Sequence, residues 1–471
     1  MVDGQDLVHL SHPSSDGPPQ FFHSCRGCLR SPIWVGITAV VLDLVPMSMV
    51  MLSLLDMYKV QFGNNAYWFT TGSMIIQSLL GAPALAWLGH LSQPHRLGRK
   101  RVILLMSVGT TLSLAVTAMT NNAYIIISFQ TLLALVGAGT ANMGMVTTVS
   151  AWTTDWCNPS EKTTLFSITQ GALFGAMAVA PIAAALIQRQ INSGIFVVAF
   201  GLKLLAPLYV LLRFPNDLDR DSVALTPTSM QRRLSMSSGP LNRSGDDTFK
   251  SRVRKALSHI TKALRFLLSK RFAATFCYVA INFADSAVQD IVLLFLKKER
   301  HFGPMEVSAI IAMIGGAGCV IQCFGVPAAD MIRIRTESML FVGVVCMAAH
   351  FAIYAWVTSA IMIVILEPIG SMGYVATVAS MALVSGVDAS DAAEARDQGT
   401  LLGVLSGLRM IASCVGPLLV AGLSTNWQTL PRPFNWPGVS FATLSVLMIP
   451  AVVLSAKLLI DARHSACCAE A

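Results

Sequence analysis

The stretch FPNDLDRDSVALTPTSMQRRLSMSSGPLNRSGDDTFKSRVRKALSHITKALRFLLSKR, residues 214–271, is the one long polar interruption in a chain that is otherwise a succession of apolar runs. Thirteen Lys/Arg and five Asp fall from Arg213 to Arg271 inclusive, so the loop with Arg213 at its edge holds the whole excess of +8 carried by the 471 residues. The rest is charge-balanced and poor in charge: 12% of all residues are charged and 54% hydrophobic, with a mean hydropathy of +0.62. A soluble chain has about a quarter of its residues charged, so the apolar surplus has to face lipid. A basic excess confined to one loop argues against a nucleic-acid partner.

A membrane-crossing helix needs about 20 mostly apolar residues. Six such runs precede the loop, at 33–55, 68–91, 102–120, 123–150, 163–188 and 194–213. Six follow it, at 272–296, 306–329, 337–357, 359–384, 398–424 and 438–460. We number them spans 1–12. The chain is therefore expected to be an all-α membrane protein: a tail over 1–32, a six-helix bundle over 33–213, the central loop 214–271, a second bundle over 272–460, and a tail over 461–471. Lys/Arg in short loops mark the cytoplasmic side. Arg96, Arg99, Lys100 and Arg101 follow span 2, and Arg333 and Arg335 follow span 8. With the central loop they place both termini in the cytoplasm, against Lys297, Lys298 and Arg300 after span 7 and the acidic loop 386–397. Which membrane is not encoded.

Within the central loop, 216–249 is rich in Ser, Thr, Asp and Gly and reads as disordered; Ser235 follows Arg232-Arg233 in a basophilic kinase pattern. Residues 252–268 put Val253, Leu257, Ile260, Leu264 and Leu267 on one helical face among bases. That pattern has two readings: an amphipathic helix on the anionic inner leaflet, or a cytoplasmic extension of span 7. Cys25 and Cys28 form half of a metal or redox motif with no second half, so no metal and no cofactor is expected. Cys467 and Cys468 follow the last apolar run closely, a position open to palmitoylation. Residues 1–31 are polar and hold no cleavable signal pattern.

An ionisable side chain at the centre of a spanning helix costs at least about 2.5–3.5 kcal/mol on insertion scales, so it faces a cavity or a partner. Deep candidates are Asp43 (span 1), Lys203 (span 6), Asp285 and Asp290 (span 7), His350 (span 9), Glu367 (span 10) and Arg409 (span 11). Asn282, Asp285 and Gln289 share one helical face. An acid flanked by amides suits a polyhydroxylated or cationic solute, and a carboxyl in low dielectric is suited to carrying a proton. Glu367 precedes Pro368, beside a break in backbone bonding; it coordinates a solute or pairs with Arg409. Asp43 lies just before Pro46 and is assigned to the cavity. Lys203 is expected to run along the lipid face, and His350 to be structural. The amides Asn142, Gln170 and Gln322 either bond a solute or bond helix to helix. Gly171/Gly175 and Gly399/Gly403/Gly407 recur every four residues, which allows close helix packing.

The connection after span 2, GHLSQPHRLGRK (89–100), resembles the signature loop of the major facilitator superfamily: Gly89, Gly98, Arg99 and Lys100 match, while Gln93 stands near the position of the family's Asp. Asp330 followed by Arg333 resembles a second, degenerate copy. TDWCNPSEK (154–162) is similar to an element of the tetracycline-resistance-like branch, with Asp155 and Glu161 matching and Lys162 in place of Arg. RDQGTLLGVLSGLRMIASCVGPLL (396–419) resembles helix 11 of the hippocampus-abundant-transcript group. The resemblance covers nearly all of 33–424. It implies pseudo-symmetric halves, a cavity lined by spans 1, 4, 7 and 10, and cytoplasmic motifs that gate it. It thereby favours Asp43, Asp285 and Glu367 as solute or proton ligands. Span 5 keeps Gly171, Gly175 and Pro181 but lacks the Gly-Pro pair of the drug/proton antiporters. No nucleotide loop or nucleophile constellation appears, so an enzyme is not expected. The reading is a transporter of a small organic solute, proton-coupled, with an uncoupled facilitator or a transporter-like receptor or trafficking protein as alternatives.

Overall fold

The structure, a computed structural model, describes residues 32–63, 66–93, 97–138, 143–154, 162–190, 194–215, 249–269, 271–298, 304–357, 359–386, 398–432 and 434–470. Asn142, Asp155, Glu161, Cys25, Cys28, Ser235 and the acidic stretch 387–397 lie outside them.

A helix stands on each of the twelve apolar runs. Span 1 is Pro32–Phe62, span 2 Ala66–Leu91 and span 3 Arg99–Met119. Span 4 is Ala123–Ala134 and Met143–Thr154, span 5 Lys162–Gln190, and span 6 Ile195–Lys203 with Leu205–Arg213. In the second half, span 7 is Phe272–Lys298, and span 8 is Pro304–Val320 continued through a π-helical turn, Ile321–Gly325, into Val326–Met331. Spans 9, 10 and 11 are Thr336–Tyr354, Ala360–Ser385 and Gln398–Asn426; span 12 is Val439–Leu447 with Ile449–Glu470. Among the described residues, ten of these are long and apolar enough to cross a membrane; spans 4 and 7 contribute the shorter apolar segments Ala123–Ala134 and Phe272–Val288.

Local chemistry sets several of the ends. Asn122 accepts a hydrogen bond from the Tyr124 amide, and Ser359 one from the Met362 amide, capping spans 4 and 10. Pro46, Pro83, Pro181, Pro368 and Pro417 sit inside helices, where neighbouring helices can re-satisfy the freed carbonyls. Polarity is inverted relative to a soluble protein. Ile76, Leu79, Val179 and Val453 are exposed, whereas Ser107, Thr153, Ser167 and Thr400 are fully buried. Many hydroxyls hidden this way bond carbonyls of their own helix or side chains of a neighbour, as Thr169 does to the Leu165 carbonyl at 3.0 Å, while those of Ser371 and Ser380 are buried without a partner among the described residues. Trp68 and Trp356, exposed near span ends, sit where indole rings favour the headgroup region.

Spans 1–6 pack together, with span 1 against spans 4, 5 and 6; spans 7–12 do likewise, with span 7 against 10, 11 and 12. Between the halves the extensive contacts are span 2 with 11, span 5 with 8, span 4 with 11 and span 5 with 10. Exchanging each span for its counterpart six places on turns the first pair into the second and the third into the fourth, which is the pseudo-two-fold relation of the bundles. Glycine makes the close approach possible. A Cβ on Gly403 would stand 2.8 Å from the Leu85 carbonyl oxygen, and one on Gly407 2.8 Å from that of Ala82.

The linker helix Phe249–Ser269 is separated from span 7 by a turn at Arg271, so it is not a straight extension of that span. Its Ile260, Leu264 and Leu267 pack against the bundle.

Candidate functional site

Three acids were singled out within the spans, and the structure gives them different surroundings. Asp43 and Lys203 are both fully buried and form an ion pair at 2.8 Å inside the first half. Lys203 also donates to the Asp43 main-chain oxygen at 2.6 Å. Span 3 adds the Ser107 and Thr110 hydroxyls, donating to the same carboxylate oxygen at 3.3 and 3.2 Å. The other oxygen, Oδ2, has no hydrogen-bond partner. Asp43 thus lies in the interior of one bundle rather than with Asp285, and the expectation that Lys203 follows the lipid face is corrected. An isolated ammonium is expensive to bury, and an acid facing it from span 1 draws the side chain inward.

Asp285 and Glu367 each accept a hydrogen bond from a tyrosine. The Tyr374 hydroxyl donates to Asp285 Oδ1 at 2.6 Å, joining span 10 to span 7 near the middle of both helices. The Tyr374 ring lies 4.6 Å from that of Phe174 on span 5, so the first half closes directly on this pair. Arg409, half-buried near the middle of span 11, makes no ion pair with a carboxylate of the described residues. Glu367 is buried and accepts from the Tyr354 hydroxyl of span 9 at 2.8 Å. It therefore bonds a tyrosine rather than pairing with Arg409. Gly370 brings span 9 close: a Cβ there would meet the His350 ring at 2.6 Å from Nδ1. His350 is buried among these helices, 4.7 Å ring to ring from Tyr354.

The expected amide face of span 7 is partly altered. Asn282 is buried and donates to the Tyr278 carbonyl of its own helix at 2.7 Å. Gln289 and Asp290 are helical, and their side chains lie outside the description. Gln170 is buried on span 5, one turn beyond Ser167. Gln322, inside the π-helical turn, accepts from the Ser167 hydroxyl at 2.7 Å, and its Nε2 is buried without a partner. It bonds helix to helix across the seam.

Further along the seam the Thr147 and Ser406 hydroxyls lie 2.8 Å apart, and a group of cross-seam bonds lies at the end of the bundle that carries the signature loop. Gln93 donates to the Thr400 hydroxyl at 3.1 Å, and His90 Nδ1 stands 3.4 Å from the same oxygen. In the counterpart position Thr164, at the start of span 5, donates to Asp330 Oδ2 at 2.6 Å. Each loop thus grips the first turn of a helix in the opposite half, one through an amide and one through an acid. Lys162 adds a cation at the C-terminus of span 10, donating to the Ser385 carbonyl at 2.9 Å, where the helix dipole favours positive charge. Gly98 has φ +83 at the head of span 3, a positive-φ conformation in which glycine is unstrained. The chain can then bring Arg99 back onto the Ser92 hydroxyl. Lys100 ties the loop to the Phe214 carbonyl at 2.8 Å. Gly89 lies at the crossing with Gly399 and Gly403. Arg333, at φ 58, is an exposed turn residue.

Tyr354, Tyr374, Phe174, Thr164 and Thr400 were missed from sequence. Tyr374 had a usable signal: it is seven residues after Glu367 and therefore on the same helical face.

The sequence profile of the Major Facilitator Superfamily matches residues 36–417. No curated protein matches the chain. Among solved structures, the crystal structure of the human organic anion transporter MFSD10 (TETRAN) is similar, with a TM-score of 0.64 and 18% identity, covering 90% of this chain and 98% of that one. At that identity the likeness bears on the fold.

Proposed function

The chain belongs to the Major Facilitator Superfamily, and on that premise we propose that it moves a small organic solute by alternating access, coupled to protons. It is a membrane transporter and not an enzyme. The observation that carries the finer reading is the Tyr374–Asp285 hydrogen bond of 2.6 Å, met by Phe174 from the other half. A solute there touches both bundles at once, which is what lets its binding favour one closed arrangement over another. Asp43 is neutralised by Lys203 within its own bundle. Asp285 and Glu367 each accept from a tyrosine hydroxyl. Their carboxyls can accept and release a proton while the hydroxyl rotates between donating and accepting, and we assign coupling to these two. The bonds from Gln93, Thr164 and Lys162 describe a bundle closed on the signature-loop side, which the positive loops assign to the cytoplasm.

Arg409 supports an anionic substrate class. A half-buried guanidinium with no carboxylate partner among the described residues supplies a cation for an anionic solute. The similar human structure is by its title an organic anion transporter, so organic carboxylates head the panel. Purified protein in proteoliposomes is assayed for uptake of that panel with and without a pH gradient. Gradient-driven uptake that Asp285→Asn uncouples supports the proposal; gradient-independent uptake makes the protein a facilitator. Failure to move any solute in a broad panel turns the reading toward a transporter-like receptor.

A further inference from the structure

The linker helix Phe249–Ser269 reaches both halves. Ile260, Leu264 and the fully buried Leu267 pack with Ala86 of span 2 and with Leu401 and Leu405 of span 11. Its His259 ring centre lies 5.0 Å from that of His90, at the end of span 2. The helix therefore lies across the seam that the Gln93–Thr400 bond closes. Its other face carries Arg254, Lys262 and Arg265, all exposed, with Leu257 and Leu268 exposed beside them at 55% and 52%. No acid occurs anywhere in the helix. Its level relative to the bilayer is fixed by the chain: span 7 begins at Phe272, directly after the turn at Arg271, and the Thr275 hydroxyl reaches back to the Leu267 carbonyl at 3.5 Å. The C-terminal turns of the linker helix thus lie at the headgroup boundary. Bases interleaved with leucine at that depth suit an anionic lipid surface.

We propose that this helix is a strap across the seam of spans 2 and 11, and that anionic phospholipid headgroups hold it in its docked position. Its inward face is satisfied by the protein; its outward face is complementary to the membrane. Each base near an anionic surface is worth about fivefold in partitioning, so the three exposed bases supply on the order of a hundredfold. Parting spans 2 and 11 requires the strap to leave His90 and Ala86, so lipid charge would favour the closed seam. That consequence rests on the alternating-access reading, whereas the docking itself does not.

The test places the photo-reactive residue p-benzoylphenylalanine at position 259 of the full chain. The protein is reconstituted in phosphatidylcholine vesicles, alone or with added phosphatidylserine. Cross-linking to the span 2 peptide containing His90 is expected to rise severalfold with phosphatidylserine and to fall back at high salt. R254E/K262E/R265E is expected to remove the lipid dependence while keeping the yield seen in phosphatidylcholine alone. If charge reversal impairs folding, the three glutamine substitutions replace it. Equal yields in the two lipids, or lipid dependence that survives neutralisation, would overturn the proposal. So would an equal rise with soluble phosphate in place of phosphatidylserine. Cross-linking needs no solute, so a failure to observe flux leaves this result standing.

Discussion

Asp43→Val and Lys203→Met, made singly and together, separate an internal brace from a transport ligand. Both side chains are fully exposed to protein and not at all to solvent, 2.8 Å apart. Removing one partner of a buried pair leaves the other charge stranded and costs about 3–5 kcal/mol. For a body the size of the first bundle, at roughly 2–4 °C per kcal/mol, each single variant should melt about 6–20 °C lower. The double variant removes both charges. Oδ2 of Asp43 is already without a partner, so the native pair is incompletely satisfied. Apolar replacement of the whole pair should therefore restore most of the stability, as it does for other buried pairs. The double-mutant cycle then yields a coupling energy that approaches the sum of the two single losses. Thermal melting in detergent supplies the stability arm and uptake in proteoliposomes the functional one. Singles that melt within about 2 °C of the parent would refute the assignment of a stranded charge. A double variant that melts normally yet moves no solute would return Asp43 to the transport machinery.

Four further outcomes follow from the seam and the site. Tyr374→Phe removes the donor to Asp285 at 2.6 Å; the loss of about 1–2 kcal/mol should lower the melting temperature by about 2–8 °C, and a solute that bonds this hydroxyl should bind roughly 5–30-fold more weakly. Glu367→Gln keeps an acceptor for Tyr354 but no exchangeable acid, so uptake should persist with a weakened response to an imposed pH gradient. Thr400→Val deletes the acceptor for Gln93, and hydrogen exchange at the start of span 11 should quicken by about tenfold, the effect of a single bond of roughly 1 kcal/mol or slightly more. Gly407→Leu puts a side chain where even a Cβ would be 2.8 Å from the Ala82 carbonyl. It should force spans 2 and 11 apart and abolish transport while the protein remains in the membrane.

The fold was legible because the signal is coarse and repeated: twelve apolar runs and one charged loop fix the layout without any knowledge of partners. Helix ends were less legible: span 1 runs on to Phe62 and span 12 to Glu470, beyond the apolar runs at 33–55 and 438–460, and π-helical or broken segments such as Ile321–Gly325 and Leu205–Arg213 interrupt runs that are uniformly apolar in sequence. The site was legible only where burial by itself raises a question. Asp285 and Glu367 announce themselves as acids in lipid. What each faces depends on residues dozens of positions away whose types carry no alarm: a tyrosine in an apolar run is equally at home in packing. Lys203 shows the limit most clearly. Its position on an outer span suggested the lipid face, because span order says which helices are peripheral but not which way each is rotated. Rotation was settled by the acid on span 1, and a buried charge can be tolerated on either helix only because the other is there. Likewise Gln93 stands in the signature loop where the family has an acid, and its amide reaches Thr400, while Thr164 holds Asp330 in the mirrored position. A latch needs a donor and an acceptor across the seam, and charge is one way of providing them. The neutral version is weaker as an electrostatic contact and less sensitive to salt. The Gln93–Thr400 bond should therefore respond less to added salt than an acid at the position of Gln93 would.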